Sequence, residues 1–196
     1  MIEQLTRMIM DGRKPSEKDA LELLKRRWDP KGYGSKLDEK RDYDEGKDIL
    51  KTFLKEQTAM KGDIVDIERS FTTDVDGIKM TGRIDRIDKD GEDYTVIDYK
   101  TAKKVLSEKE IREDLQLLMY SLVTEKLYGK KPSRIGIWFL RHNKKVFVEV
   151  DGASLEAMKA DVKAAVEKIM SEAFDPTPGW ECKNCDYDCL CDARKM

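Results

Sequence analysis

The stretch GRIDRIDKDGEDYTVIDYKT, running from Gly82 to Thr101, constrains this chain more than any other. β-Branched residues recur at short spacing on both sides of Asp90-Gly91, a dipeptide suited to a two-residue hairpin turn. Two antiparallel strands are expected. Side chains alternate faces along a strand, so Asp98 and Lys100 share one. With Asp90-Gly91 as the turn, Lys89 pairs with Glu92 and Asp85 lies opposite Val96. Asp85 then shares the face of Asp98 and Lys100, as a diagonal neighbour at roughly 7–8 Å between Cα atoms. A four-residue loop keeps these faces, and an odd-numbered loop swaps them.

Two carboxylates and an amine on one face suit a hard divalent cation. Mg²⁺ and Mn²⁺ prefer carboxylate and carbonyl oxygens and retain several waters. Asp85, Asp98 and the Tyr99 carbonyl make a candidate ligand set. Such an ion polarises a phosphoryl oxygen and lowers the pKa of a bound water. Lys100 can orient that water or stabilise charge on the phosphorus. The plainer reading is a solvated strand face, since 40% of the chain is charged. Against it stands the apolar run that ends at Asp98: a carboxylate closing a buried strand needs a partner or an ion.

Elsewhere the pattern is that of a mixed α/β domain around one central sheet, with a helical N-terminal segment and a cysteine-rich C-terminal tail. Residues 1–62 read as helical, with Ser16 opening one helix that Pro30 ends and a second helix from Glu39 to Met60. Residues 63–73 and 78–88 have strand character, and YTVIDYKT adds a third strand. A capping box at Ser107 and Glu110 opens one long helix to Tyr128, which Gly129 stops. Strands at 134–141 and 145–150 flank His142-Asn143, and a last helix runs from Ser154 to Ala173. The expected division is 1–62, a core at 63–173, and a tail at 174–196.

The 38 Lys and Arg balance 40 Asp and Glu, which rules out a polybasic chain. One histidine, His142, excludes chemistry that needs several imidazoles, and its place between late strands marks it as a turn residue. No apolar run nears the roughly 20 residues of a membrane helix, and the first residues lack a signal sequence, so a cytoplasmic location is expected. The four cysteines, Cys182, Cys185, Cys189 and Cys191, fall within ten residues and read as a metal site before a disulfide framework. Four thiolates accept a [4Fe–4S] cluster or a zinc ion, with free thiols a third reading. A structural role for that site, pinning the tail, is expected.

The same residues resemble the RecB-type nucleases of the PD-(D/E)XK superfamily. GRIDRID, VIDYKT and QLLMY match, in order, a Gly-Asp strand, a D-x-K strand and a helix carrying Q-x-x-x-Y. FDPTPGWECKNCDYDCLC resembles the terminal F-x-P-x-P-G…C-x2-C-x5-C of members that bind an iron–sulfur cluster, at Cys182, Cys185 and Cys191. The resemblance spans residues 63–196 and implies a restriction-endonuclease-like core. It further implies a DNA nuclease whose metal is held by Asp85, Asp98 and the Tyr99 carbonyl, with Lys100 catalytic. Gln116 and Tyr120, one helical turn apart, would border the site and position substrate. Glu68 matches a Glu on the preceding strand, which makes it a further candidate metal ligand, or is an exposed strand-edge carboxylate. An N-terminal G-x-x-x-H metal ligand and a first cluster cysteine have no counterpart here, as if the chain began after them, with Cys189 the candidate substitute cysteine. Expected partners are DNA and, besides it, a helicase or another recombination protein, with no membrane. Lys100, Lys103, Lys104, Arg134, Arg141, Lys144 and Lys145 are the candidate DNA-facing patch. Trp138, Phe139, Leu140 and Phe147 read as core. The expected activity is a metal-dependent deoxyribonuclease, an exonuclease of repair, recombination or phage replication. The rival readings are an inactive DNA-binding or helicase-partner module and a zinc-ribbon interaction protein.

Overall fold

The computed structural model of the chain describes residues 1–195. Three helices lead, α1 (Ile2–Met10), α2 (Glu17–Arg27) and α3 (Lys36–Ala59). The strands β1 (Asp63–Val75), β2 (Ile78–Asp90) and β3 (Asp93–Lys100) form a meander. After it come α4 (Glu108–Arg112), α5 (Leu115–Tyr128), β4 (Arg134–Phe139), β5 (Lys144–Val148) and α6 (Gly152–Met170). The sheet order is β1-β2-β3-β4-β5. Neighbours are antiparallel except β3 and β4, which run parallel and are joined by the α4–α5 crossover. This is the mixed sheet with flanking helices that the sequence calls for.

Side-chain caps set the helix limits. The Ser16 hydroxyl accepts from the Asp19 amide while the Asp19 carboxylate accepts from Ser16, fixing the start of α2. Ser35 caps α3 through the Asp38 amide, so this helix begins at Lys36 rather than Glu39. The long helix expected from Ser107 to Tyr128 is two. The Ser107–Glu110 box opens α4 as expected, but Asp114 then caps a new helix by accepting from the Leu117 amide at 2.9 Å. A short carboxylate competes with the helical backbone and is worth more at a cap than inside.

The two sheet faces differ. On one, Ile97 and Trp138 pack with Leu5, Leu24, Leu50 and Phe53 of α1–α3. On the other, α5 packs against β3 and β4. Burial of Phe53, Trp138 and Leu117, all about 1% exposed, contributes roughly 1.5–3 kcal/mol each. Trp138, Phe139 and Leu140 are core, as the sequence indicates, while Phe147 is half-buried. By contact, Met1–Met158 form one compact unit and the residues from Lys159 onward a second. Among the described residues no helix is long and apolar enough to cross a membrane.

The β2–β3 hairpin corrects one expectation. Asp90 pairs with Asp93, so Gly91-Glu92 is the two-residue loop. Gly91 takes φ +58° at the first central position, where a type II′ turn requires glycine. Every pair shifts by two residues, and Ile87, not Asp85, lies opposite Val96. A shift of two preserves the faces.

Candidate active site

The last paired residues of β2 and β3 are Arg86 and Ile97. One step further along this register stand Asp85 and Asp98, directly opposite instead of diagonal. There the ladder gives way to a side chain: the Tyr99 amide donates to Asp85 Oδ2 at 3.0 Å. In an antiparallel pair a residue's N–H and C=O face the same neighbour. The Tyr99 carbonyl is therefore directed to the Asp85 side, and three oxygen donors gather where the strands part.

Asp98 is 1% exposed. Lys100 Nζ lies 2.9 Å from its Oδ2 as a hydrogen-bonded ion pair. Burial pushes the Asp98 carboxyl up to about 6; Lys100 pulls it down, and Asp85 and Asp114 push it further up. Two neighbouring carboxylates, one of them buried, carry more negative charge than the single lysine offsets, which leaves a place for a cation. A magnesium-like ion needs only one or two protein carboxylates beside water and substrate oxygens. Asp85, Asp98 and the Tyr99 carbonyl fit that requirement. Among the described residues no three acidic, thiol or imidazole side chains are grouped to enclose a metal by themselves.

Lys100 is held from its other side. Its Nζ donates to Gln116 Oε1 at 3.0 Å, Gln116 Nε2 donates to Tyr120 Oη at 2.6 Å, and Tyr120 donates to the Arg83 carbonyl at 2.6 Å. The Q-x-x-x-Y spacing thus ties α5 to β3 and back to β2, two residues before Asp85. Burial raises the Tyr120 hydroxyl to about 12, with Asp98, Asp85 and Asp114 adding to the effect, so it stays protonated as a donor. Phe71 of β1 meets the Tyr120 ring edge-on at 6.1 Å. A Cβ on Gly82 would lie 2.6 Å from Phe71 Cζ, which explains glycine three residues before Asp85.

Glu68 falls between the pairs Ile67–Arg86 and Arg69–Ile84, level with Asp85. Its backbone takes φ +51°, an unusual conformation for glutamate inside a strand. Its Oε2 pairs with Arg83 Nε at 2.6 Å. Burial raises its carboxyl, Arg83 lowers it, and Asp85 raises it again. The strand thus brings Glu68 to the flank of the site.

Sequence reasoning missed a buried network on the opposite face. Arg86 Nε and Nη2 donate to Asp88 at 2.6 and 2.7 Å. Its Nη1 donates to Tyr99 Oη at 3.0 Å and to Gln57 of α3. Arg86 and Asp88 are 1% and 5% exposed. Two residues apart on a buried strand, they share a face, and that spacing was the available signal. Through them α3 grips the ring of Tyr99, whose main chain faces the carboxylates.

The lysine patch is mostly neutralised. Arg141 pairs with Glu45, Lys145 with Glu56 and Lys104 with Glu110. Arg134 lies over the Phe147 ring. His142 sits in the 3-10 turn Leu140–His142, its Nε2 2.8 Å from the Lys103 carbonyl oxygen, a turn residue as expected. In the second unit Cys182, Cys185 and Cys191 line one cavity. Cys189 is exposed and does not line it. All four thiols are free. With three thiols at one cavity and the fourth elsewhere, the arrangement does not fit a four-thiolate centre.

Residues 1–192 match the family model described as the PD-(D/E)XK nuclease superfamily. No match to a curated protein was found.

Proposed function

The chain belongs to the PD-(D/E)XK nuclease superfamily, and from that premise we propose that it is a divalent-metal-dependent deoxyribonuclease of the RecB type. The observation that carries this reading is the buried carboxylate of Asp98 set beside Asp85 and ion-paired with Lys100 at 2.9 Å. A bound Mg²⁺ or Mn²⁺ would supply Lewis acidity toward a phosphoryl oxygen and a water of lowered pKa. Asp85, Asp98 and the Tyr99 carbonyl would hold the ion. Lys100 would align the water or balance charge on the phosphorus. Gln116 and Tyr120 hold Lys100 in one rotamer, which removes an ordering cost from the reacting geometry. Glu68, with Arg83, borders the substrate path beside Asp85.

Support for an end-directed enzyme of repair, recombination or phage replication comes only from the motif order, and a helicase partner from the same likeness. An iron–sulfur centre on Cys182, Cys185, Cys189 and Cys191 comes from the same likeness alone, since the placement of the four thiols does not fit it. Iron and sulfide analysis of protein purified without oxygen tests that part on its own.

The experiment for the catalytic reading is degradation of a labelled DNA strand with Mg²⁺ or Mn²⁺, wild type against Lys100→Ala. Metal-dependent cleavage that falls at least about a hundredfold in Lys100→Ala is expected. Equal rates, or no cleavage by wild type with either metal, would favour an inactive DNA-binding module.

A further inference from the structure

Each carboxylate of the site is followed by a residue whose side chain turns to the opposite sheet face: Arg86 after Asp85 on β2, and Tyr99 after Asp98 on β3. In the β2–β3 register these two are diagonal neighbours. Arg86 Nη1 donates to Tyr99 Oη at 3.0 Å. The last backbone pair of the two strands is Arg86–Ile97. This side-chain bond therefore joins the strands where the ladder ends and the carboxylates begin.

Neither end of the bond is loose. Arg86 is buried, held by both oxygens of Asp88 and by Gln57 of α3, and its Nη2 lies 3.8 Å from Met60 Sδ at the end of that helix. The Tyr99 ring meets Phe53 edge-on at 6.0 Å and Trp138 at 5.8 Å, both of them core residues. Meanwhile the Tyr99 main chain serves the site. Its amide donates to Asp85 Oδ2 at 3.0 Å, and its carbonyl is directed to the same side. A shift of the ring would move a carbonyl and a carboxylate together. Asp88 alone balances the charge of Arg86. The bond to Tyr99 is additional, and it is the one that reaches the strand of Asp98.

Ions of different size ask for different gaps. Mg²⁺ holds its oxygens at about 2.1 Å and tolerates little distortion, whereas Ca²⁺ takes them at about 2.3–2.6 Å in flexible geometry. A gap that cannot widen favours the smaller ion. We propose that the Arg86–Tyr99 bond is a positioning staple that fixes the width between Asp85 and Asp98 and so sets the preference of the site for a magnesium-like ion over calcium. The inference rests on the metal-site reading above, but it concerns ion binding and is measured without DNA.

The test is titration with Mn²⁺, the free ion read by electron paramagnetic resonance, followed by displacement with Ca²⁺. Wild type is compared with Tyr99→Phe, with the double variant Arg86→Met, Asp88→Leu, and with all three substitutions together. Asp98→Asn identifies the site, since its tight Mn²⁺ should be missing. Urea midpoints without metal report the fold of each variant. Loss of the Tyr99 hydroxyl should weaken Mn²⁺ about tenfold. Affinity for Ca²⁺ should change by less than about twofold, because a looser gap suits it. The double variant, which keeps a neutral, packed core, should show the same Mn²⁺ loss, and adding Tyr99→Phe to it should bring no further loss. The double variant also reads the bond should Tyr99→Phe fail to fold. Wild-type Mn²⁺ affinity in Tyr99→Phe or in the double variant would overturn the proposal and leave the metal site standing. An equal loss for Ca²⁺ would overturn it too, marking general loosening of the fold. A wild type that holds no tight Mn²⁺ would overturn the metal-site reading and this inference together.

Discussion

Replacing Asp98 with asparagine should stabilise the protein while removing its activity. The Asp98 carboxyl is raised from 3.8 to about 6 in the folded state, chiefly by burial. Below about pH 4 the group is protonated in both folded and unfolded chains, so it has no effect on their balance. Between 3.8 and about 6 the unfolded chain has released a proton that the native state keeps, and native stability falls as pH rises. Above about pH 6 the full cost of holding the charge is present. The difference between those two values corresponds to about 3 kcal/mol. Lys100, 38% exposed, admits solvent that screens part of this, so a gain of about 2 kcal/mol is expected for Asp98→Asn. Urea denaturation at about pH 4 and about pH 8 measures it. With a slope of about 2 kcal/mol/M, the Asp98→Asn midpoint should rise by about 1 M at the higher pH and hardly at the lower. Magnesium should then raise the wild-type midpoint and leave that of Asp98→Asn where it is. Equal midpoints at about pH 8, or a gap of the same size at about pH 4, would refute the claim that Asp98 is a buried charge awaiting a cation.

Other perturbations probe the supports of the site. Tyr120→Phe breaks the link from Gln116 to the Arg83 carbonyl, and kcat for DNA cleavage should fall about tenfold with KM little changed, since the Lys100 rotamer is what it guards. Arg86→Met leaves Asp88 buried without its guanidinium and should cost about 3–5 kcal/mol in urea unfolding, most of it recovered when Asp88→Leu is added. Gly82→Ala forces the Phe71 ring off its seat and should lower both the melting temperature and the cleavage rate, whereas Gly82→Ala combined with Phe71→Leu should regain stability.

Much of the site was legible because strand alternation is a strong rule. Asp85, Asp98 and Lys100 fell on one face even though the turn was placed one residue early, since the slip moved each pair by two. Gly91 decided that register: a type II′ turn wants glycine first, and the sequence reading had put Asp90 there. The kink between α4 and α5 was hidden because the apolar stripe Ile111, Leu115, Leu118 runs on across it, while Asp114 acts locally as a cap. The charge of the surface was not legible. Whether Arg141 or Lys145 faces a nucleic acid depends on Glu45 and Glu56, each about 90 or more residues away in the chain. Nor could the φ of +51° at Glu68 be foreseen, since glutamate has no leaning to that conformation.

The most direct test of the account is the anomalous signal of manganese in a crystal soaked with Mn²⁺. A peak about 2.1 Å from oxygens of Asp85 and Asp98 and from the Tyr99 carbonyl, with Lys100 Nζ beside it, is predicted. An ion bound elsewhere, or carboxylates that stay unliganded at millimolar Mn²⁺, would contradict it.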